Sequence, residues 1–448
     1  MAIQDWRDLE RLVLERDFKT IKAELPKLQD ADIAAFMDEL SREHVVIVFR
    51  LLPKDRAAEV FSYLSVERQE HIVGAITDQE VGSIIDQLFV DDAADFLEEM
   101  PASVVKRVLR NASPETRSLI NQFLQYPPYS AGSIMTAEFA DLKKTMTVAD
   151  AFKRIRRTAL DKETVYTCYV IDDNRRLEGV VTVRELFLAD EETVIGDIME
   201  TKVISARTSD DQEDVAGLFS KYDFMSLPVV DEENRLVGIV TFDDIMQVIH
   251  QEATEDFQKM AAMAPSEKPY LKTNVFTLAK HRIGWLLILM FTGMIVGAIL
   301  ARYEEAFLTV PLLVTFIPML TDTGGNSGSQ SSTLVIRGIA LKEITVSDFG
   351  RVLAKELGVG ALVGLALGAA NFVRLILTYP GNYMLALVVS LALFATVMIG
   401  KTAGSMLPLL AKLVKVDPAI MAAPLITTIV DASALVIYFK IVEVLLLK

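Results

Sequence analysis

Residues 283–301 read IGWLLILMFTGMIVGAILA, nineteen uncharged and mostly apolar residues in a row. A helix rises 1.5 Å per residue, so about twenty such residues cross the hydrocarbon core of a bilayer. Four further stretches follow at about 306–336, 352–378, 383–411 and 418–442. The sequence therefore predicts five membrane spans. Each of the last four exceeds the minimum length, so tilting or kinking is expected. Pro311, Pro318 and Pro424 fall inside these spans and Pro408 near the end of one. Such breaks are tolerated where protein or a water-filled cavity satisfies the backbone.

Outward from this apolar half the character changes. Residues 271–448 carry a net charge of +5, whereas residues 1–270 carry −21. An acidic region of that size is a poor nucleic-acid binder, because phosphate contacts need clustered Lys and Arg. The single cysteine, Cys168, excludes an intrachain disulfide framework and thiolate zinc sites, and the four histidines share no ligand spacing. The opening MAIQDWRDLE lacks a basic then apolar run, so no signal peptide is expected.

Two repeats organise the acidic half. Over residues 1–125, DIAAFMDELS, DRAAEVFSYLS, EVGSIIDQLF and DAADFLEEMP recur at intervals of about one or two dozen residues. Each opens with an acid, favourable near a helix N-terminus, and Pro53, Pro101 and Pro114 punctuate the series. A small solenoid of stacked helices is predicted. The segment YPPYSAG (126–132) then reads as a stiff linker. A second repeat of about sixty residues fills 133–253. SIMTAEFADL at 133 matches DIMETKVISA at 197, and YVIDDNRRLEGVVTVREL at 169 matches PVVDEENRLVGIVTFDDI at 228. This α/β pattern resembles the CBS domain, two in tandem forming a Bateman pair. A helix with an acidic face, ending near Pro265, joins the pair to the spans. The expected domains are 1–129, 130–253, a connecting helix within 254–275, and a membrane domain from 276 to 448.

Lys280, Arg282, Arg337, Lys342, Arg351, Lys355, Lys412 and Lys415 fall on one side of the spans, and Arg302, Arg374 and Lys448 on the other. The positive-inside rule puts the N-terminus in the cytoplasm and, with five spans, the C-terminus outside. Five spans are few for a pore, which suggests a homodimer.

Ionisable residues inside a span are functional candidates, since Asp at mid-depth costs about 2.5–3.5 kcal/mol. Asp431 lies in PLITTIVDASALVIYF (424–439), one turn after Thr427. Its bland role would be an ion pair with Lys401. The run TDTGGNSGSQ (321–330) is the second candidate, its Asn326 and Gln330 suited to an ion's hydration shell, its glycines equally suited to close helix packing. Asp322-Thr323-Gly324 spells an aspartic-protease triplet, with Asp431 as an imaginable dyad partner, and Ser327 precedes a glycine, but three letters are weak and no predicted span supplies a histidine base.

TDTGGNSGSQSSTLVIRGIAL (321–341) and LPLLAKLVKVDPAIMAAPLITTIVDASALVIYF (407–439) resemble the MgtE family of magnesium channels and transporters, and the likeness extends through the helical N domain, CBS pair, connecting helix and five spans. The resemblance implies a dimer in the cell membrane that conducts Mg²⁺ passively, with Asp431 of two protomers ringing the path, Thr427, Asn326 and Gln330 lining it, and acidic cytoplasmic domains that close it when Mg²⁺ is abundant. Mg²⁺ sheds water reluctantly, which suits one carboxylate per subunit. Ala423 departs from members that carry Asn there. The family's sensor positions fall on Glu59, Asp91, Asp95, Asp211, Glu213, Asp223, Asp244, Glu252, Glu255, Asp256 and Asp417, while Gln247 is uncharged where a relative has an acid. Thr241 and Asp244, in GIVTFDD (238–244), match the CBS motif that meets ribose and phosphate, so ATP is a candidate ligand. The chain lacks the Walker motif of ATP-driven pumps. The competing readings are a transporter of Co²⁺ or Mn²⁺, and a membrane-anchored CBS sensor that moves no ion.

Overall fold

A computed structural model describes residues 6–266 and 270–446. The chain divides into two compact units, Met1–Ile249 and His250–Lys448.

The first unit opens with ten short helices: α1 (Trp6–Leu14), α2 (Phe18–Glu24), α3 (Asp30–Glu39), α4 (Arg42–Phe49), α5 (Lys54–Ser62), α6 (Val66–Ala75), α7 (Asp78–Ile85), α8 (Val90–Glu98), α9 (Ala102–Asn111) and α10 (Pro114–Phe123). From α3 onward every helix begins twelve residues after the last, which is the period seen in the sequence. Helices pack mainly on the next but one, α3 on α5, α4 on α6, α7 on α9 and α8 on α10. Eight-to-ten-residue helices are marginal alone, so this stacking of apolar faces stabilises them. Phe61 is fully buried, edge-on to Phe96 at 5.2 Å and Phe49 at 6.2 Å. Thr77 starts α7 with a capping box: its hydroxyl accepts from Glu80 N, and the Glu80 carboxylate accepts from Thr77 N. Arginines close the other ends. Arg56 donates to the carbonyl of Leu28 and Arg68 to those of Asp38 and Leu40, and these satisfy groups that a helix C-terminus leaves open.

Two three-stranded sheets follow. The first orders β1 (Phe139–Leu142), β2 (Thr164–Ile171) and β3 (Leu177–Thr182), and the second β4 (Ala206–Arg207), β5 (Ser226–Val230) and β6 (Leu236–Thr241). In each the first pair is parallel and the second antiparallel. Their helices are α11 (Val148–Thr158), α12 (Val183–Leu188), α13 (Ile195–Ile198) and α14 (Gln212–Tyr222). The paired I-M phrases serve a crossed arrangement. Thr136 bridges to Ile239 of the second sheet, and Glu200 to Val180 of the first. A Cβ on Gly179 would sit 2.8 Å from Met199 Sδ, and one on Gly238 2.7 Å from Met135 Sδ. The glycine of each G-h-h-T strand is therefore required where the other repeat's methionine crosses it.

The helix α15 (Phe242–Met260) begins inside the second repeat's motif and ends five residues before Pro265, where Ala262 adopts a left-handed φ of 53°. The expected connecting helix is thus the C-terminal part of a longer one. Beyond it lie α16 (Val275–Arg302), α17 (Glu304–Thr309), α18 (Ile317–Ala340), α19 (Phe349–Thr378), α20 (Tyr383–Leu413) and α21 (Ala423–Leu445). Among the described residues four helical stretches are long and apolar enough to cross a membrane, those of α16, α19, α20 and α21. The expected second span is the exception. It is no single helix over 306–336: α17 and a 3-10 stretch at Pro311–Phe316 precede α18. The polar run 321–333 makes α18 too hydrophilic to qualify on composition. Its place is nevertheless internal, packed on both α20 and α21.

Candidate functional site

The glycines of α18 answer to packing. A Cβ on Gly404 would run into the carbonyl oxygen of Gly328, and one on Gly400 would come within 2.5 Å of that of Gly324. The α18–α20 crossing is backbone on backbone, as small residues permit in membrane helices. The polar side chains of the run serve otherwise. Asp322, Asn326 and Gln330 are four residues apart and share one stripe of α18. Asp322 and Asn326, with Pro318, Thr321 and Gly325, face Thr427 and Asp431 of α21 across an open cleft of about 360 Å³. Two helices thus bring two carboxylates, an amide and two hydroxyl-bearing residues to one cavity inside an apolar unit. Gln330 lies outside that lining and accepts from Lys401 Nζ at 3.3 Å. Lys401, buried at 6 % exposure, is thereby accounted for without Asp431. On sequence Asp322 pairs with Asp431 only as an imagined protease dyad; its i, i+4 relation to Asn326 is the signal that it shares the cleft. The side chain of Ala423 lies outside the described ones.

A second concentration of acids occupies the first unit. Asp91 is 9 % exposed and its Oδ1 is buried with no hydrogen-bond partner. Burial, then the charges of Asp244, Asp92 and Glu163, hold its carboxyl well above the usual range. Burial, then the charge of Asp244, pushes Asp92 to about 7 and Glu163 to about 8, and burial pushes Asp244 to about 6. Glu59 contributes to the field at Asp92 and Glu163. Asp95 lies on α8 with an exposed side chain. Asp92 and Glu163 were not anticipated; adjacency to Asp91 pointed to the first, while nothing in the sequence placed Glu163, 72 residues on from Asp91, beside it. Among the described residues no three His, Cys, Asp or Glu side chains converge as a ready metal cage. Mg²⁺ needs none, since it keeps several waters and takes one or two carboxylates. An orphaned, buried carboxylate oxygen among mutually repelling acids fits such an ion.

The other sensor candidates separate. Asp211 caps α14 by accepting from Glu213 N at 2.8 Å, and Asp223 ends that helix in the left-handed conformation, φ 53°. Both have architectural uses. In the second unit Glu252, Glu255 and Asp256 lie on the last turns of α15, and Lys259 Nζ bonds both Glu255 (2.5 Å) and Asp417 (2.6 Å). Burial, then Asp417, raises Asp256 to about 6. The nucleotide candidates are engaged locally: the Thr241 hydroxyl donates to Asp244 Oδ2 at 2.5 Å, as Thr182 does to Glu185 at 2.8 Å in the first repeat. The T-x-x-D/E spacing is a helix-capping device in both repeats.

Fold and site together have the features of a membrane transport protein: apolar helices long enough to cross a bilayer, a polar cleft between two helices, and an acid-rich region ahead of them. Comparison with known proteins defines it further. The divalent cation transporter family MgtE matches residues 317–441, the MgtE intracellular N domain 28–129, and CBS domains 131–192 and 195–251. The chain is 39 % identical over 443 residues to the magnesium transporter MgtE of Thermus thermophilus, covering 98 % of each, and 34 % identical over 422 residues to that of Bacillus subtilis, covering 92 % of this chain and 93 % of the other. A crystal structure of the cytosolic domain of the Mg²⁺ channel MgtE in complex with ATP aligns with a TM-score of 0.52 at 40 % identity, over 55 % of this chain and 100 % of that one. The soluble part of a magnesium transporter aligns at 0.52 and 29 % identity, over 55 % and 98 %. The chain belongs to the MgtE family, whose named members are magnesium transporters and not enzymes.

Proposed function

We propose that this protein is a homodimeric Mg²⁺ channel of the cell membrane, conducting passively down the membrane potential and closed by Mg²⁺ on its acidic N-terminal half. The observation that carries this reading is the cleft that Asp431 and Thr427 share with Asp322 and Asn326. A hydrated divalent cation passing it would exchange hydrogen bonds with these oxygens while keeping most of its water, and Asp431 of each protomer would supply the charge. In this reading α18 is the fifth span, its polarity tolerated because it faces protein and a wet path. The N-terminus is then cytoplasmic and the C-terminus outside, with domains 1–129, 130–253, 254–275 and 276–448 as read from the sequence.

Closure would follow from charge. Metal-free, the acids around Asp91, Asp92, Glu163 and Asp244 repel one another or hold protons. Mg²⁺ favours their ionised, gathered state and so shifts the population by differential binding. The continuous helix α15 carries both Asp244 and Asp256, which gives the ion's effect a route along one element. ATP is proposed to bind the CBS pair at Thr241 and Asp244, supported by the ATP-bound relative.

The test is Mg²⁺ entry into liposomes holding the purified protein, driven by an imposed inside-negative potential with no nucleotide present. Entry that scales with the potential supports a passive channel. Co²⁺ or Mn²⁺ entering while Mg²⁺ does not supports the other-cation reading. No entry of any ion supports the sensor reading.

A further inference from the structure

Both carboxylate oxygens of Asp417 are engaged. Its Oδ1 accepts from Ala419 N at 2.8 Å and so caps the 3-10 turn Pro418–Met421 that leads into α21. Its Oδ2 meets Lys259 Nζ at 2.6 Å, and the same ammonium meets Glu255 Oε1 at 2.5 Å, one turn earlier on α15. Lys259 and Asp417 are 23 % and 31 % exposed, so the pair is largely shielded from water. Beside it Met260, the last residue of α15, packs on Ile336, Ala419 and Ala422. The C-terminal turn of α15 is thus fastened to the entry of α21 by one ion pair and one apolar contact.

We infer that Lys259 is a tethered cation that docks the end of α15 on Asp417 in the absence of Mg²⁺ and yields Asp417 Oδ2 when the metal binds there. The second half rests on the proposed reading that Asp417 senses Mg²⁺. The reasoning is steric and electrostatic. Mg²⁺ binds an oxygen at about 2.0–2.1 Å and holds the rest of its octahedron with waters. An ammonium 2.6 Å from that oxygen and a divalent ion bound to it would repel each other, so each weakens the other's hold on the carboxylate. Lys259 therefore neutralises one charge of the Glu255–Asp417 pair and sits between the two carboxylates, where a bridging divalent ion would have to sit. A divalent ion would take over the same bridge with twice the charge. The helix end is in this account docked in both conditions, by different cations. The sequence holds the trace of this arrangement: Lys259 is four residues after Glu255, an i, i+4 pair placed to help the helix, whose ammonium also reaches a residue 158 positions away.

The test is hydrogen exchange of the amides near residues 254–264 in the full-length protein in nanodiscs, with EDTA and then with millimolar Mg²⁺, for wild type, Lys259→Met, Lys259→Arg and Asp417→Asn. Lys259→Met keeps the stem and removes the cation, and exchange in EDTA should rise about tenfold, as loss of a charge-assisted contact would cause. Lys259→Arg should retain protection, which separates loss of the cation from failure to fold. Asp417→Asn should loosen the helix end equally, and the double variant no further. Mg²⁺ should restore protection in Lys259→Met. Wild-type protection of Lys259→Met in EDTA would overturn the inference. Loosening in EDTA that Mg²⁺ fails to reverse would leave the tether standing and remove the Mg²⁺ reading at Asp417.

Discussion

Asp92, Glu163 and Asp244 keep their protons far above the usual carboxylate range, and the sign of the consequence is fixed. Their unfolded values are about 3.9 to 4.3, whereas burial and neighbouring acids raise them to about 7, 8 and 6. From about pH 4 upward the unfolded chain ionises first, so the folded state binds more protons and stability falls as pH rises, the full cost being reached above about pH 8. We predict that in EDTA the thermal transition of unit 1–249, followed in the intact protein, is several degrees higher at about pH 6 than at about pH 8. Millimolar Mg²⁺ should raise it most at the higher pH. A transition that climbs with pH in EDTA would contradict this. Asp244 is also the residue shared by the proposed metal and nucleotide roles. Thr241 is itself proposed to meet the nucleotide, so Thr241→Val should weaken ATP binding, read by equilibrium dialysis, without removing the Mg²⁺-dependent stabilisation. The sequence made Asp91 and Asp244 legible through resemblance. Glu163 escaped because its proximity depends on how β2 packs, and no local pattern records that.

Helices in this chain were legible in proportion to how local their determinants are. The twelve-residue rhythm of α3 to α10 is written in apolar spacing, in the acids that open the repeated phrases and in the prolines that punctuate them, whereas the Thr77–Glu80 capping box of α7 comes from the structure. Thr77→Ala should cost about 1 kcal/mol, the usual loss of an N-cap, measured by denaturant unfolding of the first unit. Phe61→Ala should cost about 3–5 kcal/mol through the cavity left against Phe49 and Phe96. The ends of α15 and α18 were less legible. α15 starts earlier because Thr241 and Asp244 cap it inside the CBS motif, and it stops at Met260 where the chain turns through Ala262. α18 starts only at Ile317 because Pro311 and Pro318 break the apolar stretch before it. The glycines of 321–330 read equally as hinge or packing surface from the sequence, and the α18–α20 contact decides for packing. Gly404→Val should therefore lower the yield and melting temperature of folded protein, whereas a hinge role would leave both unchanged and alter only transport.

At the scale of the molecule, the division between an acidic half and an apolar half was visible as charge arithmetic, and the family likeness runs across both. The number of spans is where sequence and structure part: the sequence predicts five, whereas among the described residues four helical stretches are long and apolar enough, and the polar α18 is the one left out. That polarity is itself the argument for function: helix packing has no need of Asp322, Asn326 and Asp431 around one cleft, and a cation path does. The measurement that tests this most directly is Mg²⁺ flux into liposomes holding wild type, Asp431→Ala or Asp431→Asn, all shown to be folded. Wild-type flux, its loss by at least about tenfold in both variants, and suppression of wild type by millimolar Mg²⁺ on the side of residues 1–249 are the expected results. Equal flux in all three proteins would contradict the account, because the ion would then be crossing somewhere other than the cleft at Asp431.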